Sequence, residues 1–162
     1  FGWQNNFRYK NFDLGIFLQG SYGNEIFNAL NRSLTGTNLT YRNQLESVRD
    51  FWSIDNPDAT HPRYTSNATP NIFISDRYIE DGSYIRIQNV RLGYQIPSKV
   101  LEKTGFSKIN IYGSVQNLYT FTNYSGYDPE VGVLNQNPLL AGVDNGRYPL
   151  PRTFTFGIDV DF

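Results

Sequence analysis

Asp128 and Glu130 stand two apart beside Pro129, a spacing at which two carboxylates can share acid–base work. In a polar segment following a strand, the same residues read first as a turn. Asp76, Glu80 and Asp81-Gly82 supply hard oxygen ligands of the type calcium takes, without the regular spacing of a helix–loop–helix calcium site. Solvated loop charge is the better reading of that cluster. His61, the one histidine, precludes a histidine ligand set and beside Pro62 reads as an exposed loop residue. There is no cysteine, so disulfides, thiolate metal sites and a cysteine nucleophile are excluded together. No nucleophile elbow, HExxH helix or phosphate-binding glycine loop occurs. The residues therefore predict neither an enzyme nor a cofactor. Trp52, Tyr124, Tyr127 and Tyr148 are the candidates for binding, because flat aromatic faces stack on sugar rings. Against this stands a plainer role, in which they pack their own loops or sit where membrane meets water.

These side chains hang on strands. In Arg152-Thr-Phe-Thr-Phe-Gly-Ile-Asp-Val-Asp-Phe162, the residues Phe154, Phe156, Ile158, Val160 and Phe162 share one face and polar or small residues the other. The pattern stays apolar to its last residue. A lipid-facing barrel strand does this, with Asp159 and Asp161 turned to a wet lumen. Strands are expected at about 1–10, 12–22, 83–96, 108–120 and 152–162, with a tight turn at Lys10-Asn11. Ile85 and Ile87 are out of phase with Val90, Leu92, Tyr94 and Ile96, which predicts a bulge near Gln88-Asn89. Lys108, Asn110, Tyr112, Ser114 and Gln116 form a polar row suited to lining a lumen. The segments 23–82 and 121–151 lose the two-residue period and read as long irregular loops. Within them a short helix is expected at 44–52, with Leu45, Val48 and Trp52 along one side. One or two helical turns are expected between Pro97 and Gly105.

Aromatic residues make up 16% of the 162 residues, while mean hydropathy is −0.48. A compact soluble core would rely more on aliphatic side chains; a membrane barrel combines aromatic girdles with half-polar strands. Net charge is −1, so no basic surface points to nucleic acid. No run approaches the roughly eighteen apolar residues of a membrane-crossing helix. Connections alternate short and long, which places both long loops on one side, as outer-membrane barrels do. A secreted β-sandwich that binds carbohydrate through exposed aromatics is the alternative, but gives no reason for that asymmetry. The chain opens inside a strand pattern with no leader before it. Five strands cannot close a barrel, whose smallest bacterial form has about eight. The expectation is a C-terminal piece of something larger.

Tyr84-Ile-Arg-Ile-Gln-Asn-Val-Arg-Leu-Gly-Tyr-Gln-Ile-Pro97 resembles the C-terminal region of the SusC/RagA family of TonB-dependent outer-membrane transporters. The resemblance continues from Asn110 through Gln116-Asn-Leu-Tyr-Thr120 and Gly126-Tyr-Asp-Pro-Glu-Val131, and on to Tyr148-Pro-Leu-Pro-Arg-Thr-Phe-Thr-Phe-Gly157 and Phe162. Tyr9-Lys-Asn-Phe-Asp-Leu14 and Gln19-Gly-Ser-Tyr-Gly23 are similar to the family's preceding hairpin. It implies an all-β chain: five antiparallel strands of a transmembrane barrel of about 22 strands, with long extracellular loops. The plug domain and the TonB-contacting segment are absent from these residues. The family imports glycans or peptides, often beneath a SusD-like surface lipoprotein, with energy delivered through TonB. Implied partners are thus outer-membrane lipid, the rest of the barrel and its plug, that lipoprotein, and TonB through the missing part. The aromatic-ended final strand, Phe154 to Phe162, resembles the signal read by the barrel assembly machinery.

Overall fold

A computed structural model describes residues 1–37, 43–65, 71, 73–102, 104–132 and 137–162. Residue 103 of the expected helical turn lies outside them, as do parts of both long segments. The chain forms two compact units. The first, residues 1–23, 83–123 and 149–162, is one antiparallel sheet in the order β1-β2-β5-β6-β8. Its strands are β1 Gly2–Tyr9, β2 Phe12–Ser21, β5 Tyr84–Gln95, β6 Lys108–Thr122 and β8 Thr153–Asp161.

Register explains the two faces of this sheet. Phe7, Leu14, Leu92, Gly113 and Phe156 stand side by side across five strands, followed by Asn5, Ile16, Val90, Val115 and Phe154 in the next row. Tyr9, Phe12 and Tyr94 form a row at the end that carries the short turns, and Phe12 meets Tyr94 at 4.7 Å between ring centres. Tyr119 and Phe121 meet edge-on at the same distance toward the other end. Most of these side chains remain exposed, Phe156 at 84%.

The bulge falls where the phase change requires it. Phe17 and Leu18 are adjacent on β2, yet their partners Asn89 and Ile87 enclose Gln88. On β6 the partners Gln116 and Tyr119 enclose two residues, Asn117 and Leu118. Each strand thus inserts one more residue than its neighbour, which bends the sheet and returns Ile85 and Ile87 to the apolar face. Asn117 takes φ 53°, a conformation asparagine tolerates better than most residues, and its Nδ2 donates to the Pro151 carbonyl at 2.9 Å. Lys10, also at φ 53°, opens the two-residue turn between β1 and β2. After β5 the expected helical turns contract to α2, Ser98–Leu101, with Pro97 at its N-cap and Gly105 at φ 78°.

The second unit, residues 24–82 and 124–148, corrects the expectation of irregular loops. It contains a small sheet, β4-β3-β7, in which β3 Glu25–Asn28 pairs antiparallel with β4 Ile79–Asp81 and parallel with β7 Val143–Asp144. A short helix, α1 Ala29–Thr35, follows β3. Ile26, Tyr124 and Val131 form its apolar centre. The helix expected over 44–52 is only a 3-10 turn at Glu46–Arg49, with Val48 buried beneath it. It stops because Asp50 leaves helical geometry to organise the next loop.

Candidate functional site

Several of the polar groups buried in the small unit, Asn28, His61 and Asp144 among them, are paired with residues distant in the chain. Asn28 caps α1 by accepting the Asn31 N–H at 2.8 Å, while its Nδ2 donates to Glu80 at 2.9 Å. Glu80 also receives the Ser125 N–H and hydroxyl, both at 2.9 Å. Burial opposes its charge, but these donors outweigh burial and hold the carboxyl below the ordinary range. Its oxygens are therefore already in use, and among the described residues no group of three acidic or histidine side chains is placed to hold a metal. Asp128 Oδ1 accepts the Glu130 N–H at 3.0 Å, the turn geometry its position suggested. Arg147 donates to the carbonyls of Glu130 and Val131, fastening that turn to the segment after β7.

The four candidate aromatics separate. Tyr127 is 66% exposed, Tyr148 85% and Trp52 39%. Tyr124 is not available for stacking: it is 6% exposed and its hydroxyl donates to Asp144 at 2.6 Å. Burial and the neighbouring Asp144 carboxylate push its pKa well up, so it stays a neutral donor. Gly126 lies against the Tyr124 ring, where a side chain would collide. Tyr127 instead edges a cleft of about 380 Å³ with Leu30, Leu34, Leu45, Asn31 and Ser125.

Trp52 belongs to a closed loop. Asp50 accepts the Thr60 hydroxyl at 2.7 Å, the Thr60 N–H at 3.0 Å and the Asn56 amide at 3.0 Å, which together lower its pKa to about 2. His61 corrects its expected exposure: it is 7% exposed, with Nδ1 2.8 Å from the Arg77 guanidinium. Arginine has no acceptor, so Nδ1 must accept and the ring is neutral. Burial first, then the Arg77 charge, hold the His61 pKa below its usual value against the pull of Asp50. A free histidine takes up a proton near pH 6.5, whereas the folded one resists. Stability supported by neutral His61 is complete above that pH and declines as pH falls below it, while Asp50 stays charged throughout. Amide exchange at Trp52 and His61, corrected for intrinsic rate, is expected to rise from pH 7.5 to 5.5. A ratio that stays flat would contradict the His61–Arg77 arrangement.

On the large sheet, Lys108 and Asn110 of the row that continues through Tyr112, Ser114 and Gln116 line a hollow of about 870 Å³ with Asp13, Asn89, Arg91 and Asp159. Arg91 lies between Asp13 at 3.7 Å and Asp159 at 3.8 Å, with its guanidinium 4.3 Å from the Tyr112 ring centre. Gly93 and Gly157 sit under Asp13 and Tyr112, where any side chain would displace them. The ion pairs are half exposed and individually weak; their effect is to order a wet, nearly neutral wall. On the reverse face Phe154, Phe156, Ile158 and Val160 are exposed, and Phe162 follows β8 at 95% exposure.

No family model matches the chain. TonB-dependent receptor P3 of Formosa agariphila is 40% identical over 165 residues, taking in 99% of this chain and 16% of that protein. TonB-dependent receptor SusC of Bacteroides thetaiotaomicron is 28% identical across 99% of the chain. The chain belongs to the SusC/RagA family of TonB-dependent receptors. The RagAB peptide transporter structure superposes with a TM-score of 0.82 over 96% of the chain at 22% identity, which establishes the fold. The chain spans about a sixth of the length of these family members. Among the described residues no helix is long and apolar enough to cross a membrane, which leaves crossing by strands open.

The family motifs now have physical content. Gln116-Asn-Leu-Tyr-Thr120 is the doubled bulge of β6, with Asn117 as its left-handed residue. Gly126-Tyr-Asp-Pro-Glu130 is the turn that closes over Tyr124. Asp144, Arg147 and Arg77 went unrecognised in the sequence, and Glu80, expected as solvated loop charge, is instead held by Asn28 and Ser125. Asp144-Asn-Gly146 carried a turn signal, but nothing local marked its tyrosine partner.

Proposed function

We propose that these residues form five wall strands and two extracellular loops of an outer-membrane TonB-dependent transporter that imports glycan- or peptide-like nutrients. One observation carries the reading: an antiparallel sheet whose continuous apolar face is exposed while its opposite face is a hydrogen-bonded, ion-paired wall. Lipid covers the first face, and the lumen with its plug adjoins the second. The free edges of β1 and β8 continue into the remainder of the barrel, of about 22 strands. The small unit, with Trp52, Tyr127 and Tyr148 exposed, stands on the outer side beneath a SusD-like lipoprotein. TonB acts through the plug, and β8 with Phe162 is the strand the assembly machinery reads. A secreted carbohydrate-binding sandwich is disfavoured by the same apolar face, which a sandwich would have to bury.

Adjacent residues on β8 test this in the full-length receptor in native membranes, because this chain carries no cysteine of its own. Phe156→Cys is expected to react with a membrane-confined maleimide, and Thr155→Cys with a small water-soluble one. Equal reaction of both with the water-soluble reagent would overturn the barrel orientation.

A further inference from the structure

The loop closed by Asp50 and Thr60 frames a second hollow, of about 630 Å³, lined by Trp52, Thr60, His61, Arg63, Asn71 and Arg77. We propose that it is an oxyanion subsite of the imported solute, taking a carboxylate on the two arginines while the adjoining part of the solute lies on Trp52. The proposal rests on the import reading and adds the chemistry the outer unit selects.

The arrangement of donors is the argument. His61 accepts from Arg77 Nη2 at 2.8 Å, and the same nitrogen lies 3.5 Å from the Thr60 carbonyl. A neutral imidazole and a carbonyl orient the guanidinium without neutralising it. Arginine presents five donors, so the rest of the fork remains for a carboxylate, which it matches two bonds at a time. Arg63 adds a second, exposed guanidinium on the same wall, with no partner among the described residues. Asp50, the carboxylate whose charge reaches His61, is already engaged by three donors from Thr60 and Asn56, and those bonds hold the loop in shape. Trp52 is brought to the same wall by its backbone, whose N–H donates to the His61 carbonyl at 2.8 Å. Its half-exposed ring offers a flat face next to the cations.

A carboxylate can come from a uronic-acid sugar or from a peptide terminus. The test is calorimetric binding to the detergent-solubilised full-length receptor at low salt. The probes are a uronic-acid trisaccharide against a neutral hexose trisaccharide, and a tripeptide against its C-terminal amide. At least one acidic probe is expected to bind tenfold or more tightly than its neutral counterpart. Arg63→Gln, a change at an exposed side chain, should remove most of that preference, as should raising the salt. Trp52→Ala weakening the sugar alone assigns the carboxylate to a saccharide; weakening of the peptide alone assigns it to a peptide. Equal binding of acidic and neutral probes, or an unchanged preference in Arg63→Gln, overturns the subsite. A receptor that passes the cysteine labelling on β8 but shows no acidic preference refutes the subsite and leaves the import reading intact.

Discussion

Replacing Asp144 by alanine is expected to raise local opening of the small unit by two to three orders of magnitude, or about 3–4 kcal/mol. Asp144 is 1% exposed and serves three donors at once. Its Oδ2 receives the Tyr124 hydroxyl, and its Oδ1 receives the Gly146 and Arg147 amides at 2.8 and 3.0 Å. Truncation leaves all three without an acceptor, and each buried orphan costs on the order of 1–3 kcal/mol. Tyr124→Phe removes one bond and keeps the ring between Ile26 and Val131, so about 1–2 kcal/mol is expected. Asp144→Asn retains acceptor oxygen and should fall between them. Amide exchange at Gly146 and Arg147 in the full-length receptor reads all three. Were Asp144→Ala no more open than a control at exposed Asp58, this network would not hold the unit together.

The same network shows why part of the fold could not be read from sequence. The five long strands announce themselves through a local period of two, in runs of eight residues or more. Even the bulge was legible, since an inserted residue shifts the phase of Ile85 and Ile87 against Val90. The small unit has strands of two to four residues, too short for any period to show. Its pairings join residues far apart, such as Asn28 with Ser125. Tyr124 and His61 sit in polar stretches that look exposed, and they are buried only because Asp144 and Arg77 arrive from elsewhere. Trp52, Tyr127 and Tyr148 are exposed, a state that needs no distant partner. Where a side chain's fate depends on a distant partner, the sequence carries the residue but not the contact.

Val90→Arg is expected to cost about 2–4 kcal/mol of barrel stability in lipid, while Asn89→Arg changes it by less than about 0.5 kcal/mol. The two positions lie on one strand and face opposite ways. Val90 stands in the row of Asn5, Ile16, Val115 and Phe154, between the Tyr9–Phe12–Tyr94 row and the Tyr119–Phe121 pair. From Tyr94 to Ile85 the strand rises roughly 30 Å, and a tilt near 40° reduces this to about 23 Å along the membrane normal. That is close to the ~25 Å apolar band of an outer-membrane barrel, and on the proposed orientation Val90 lies near its middle. An arginine there must leave water or distort the lipid around it. At Asn89, beside Phe17 and Gln116, it meets the wet face instead. Denaturant titration of the full-length receptor refolded into lipid vesicles measures both. Equal costs at the two positions would mean that the apolar face does not meet lipid, because no other feature of the sheet separates these neighbours so sharply.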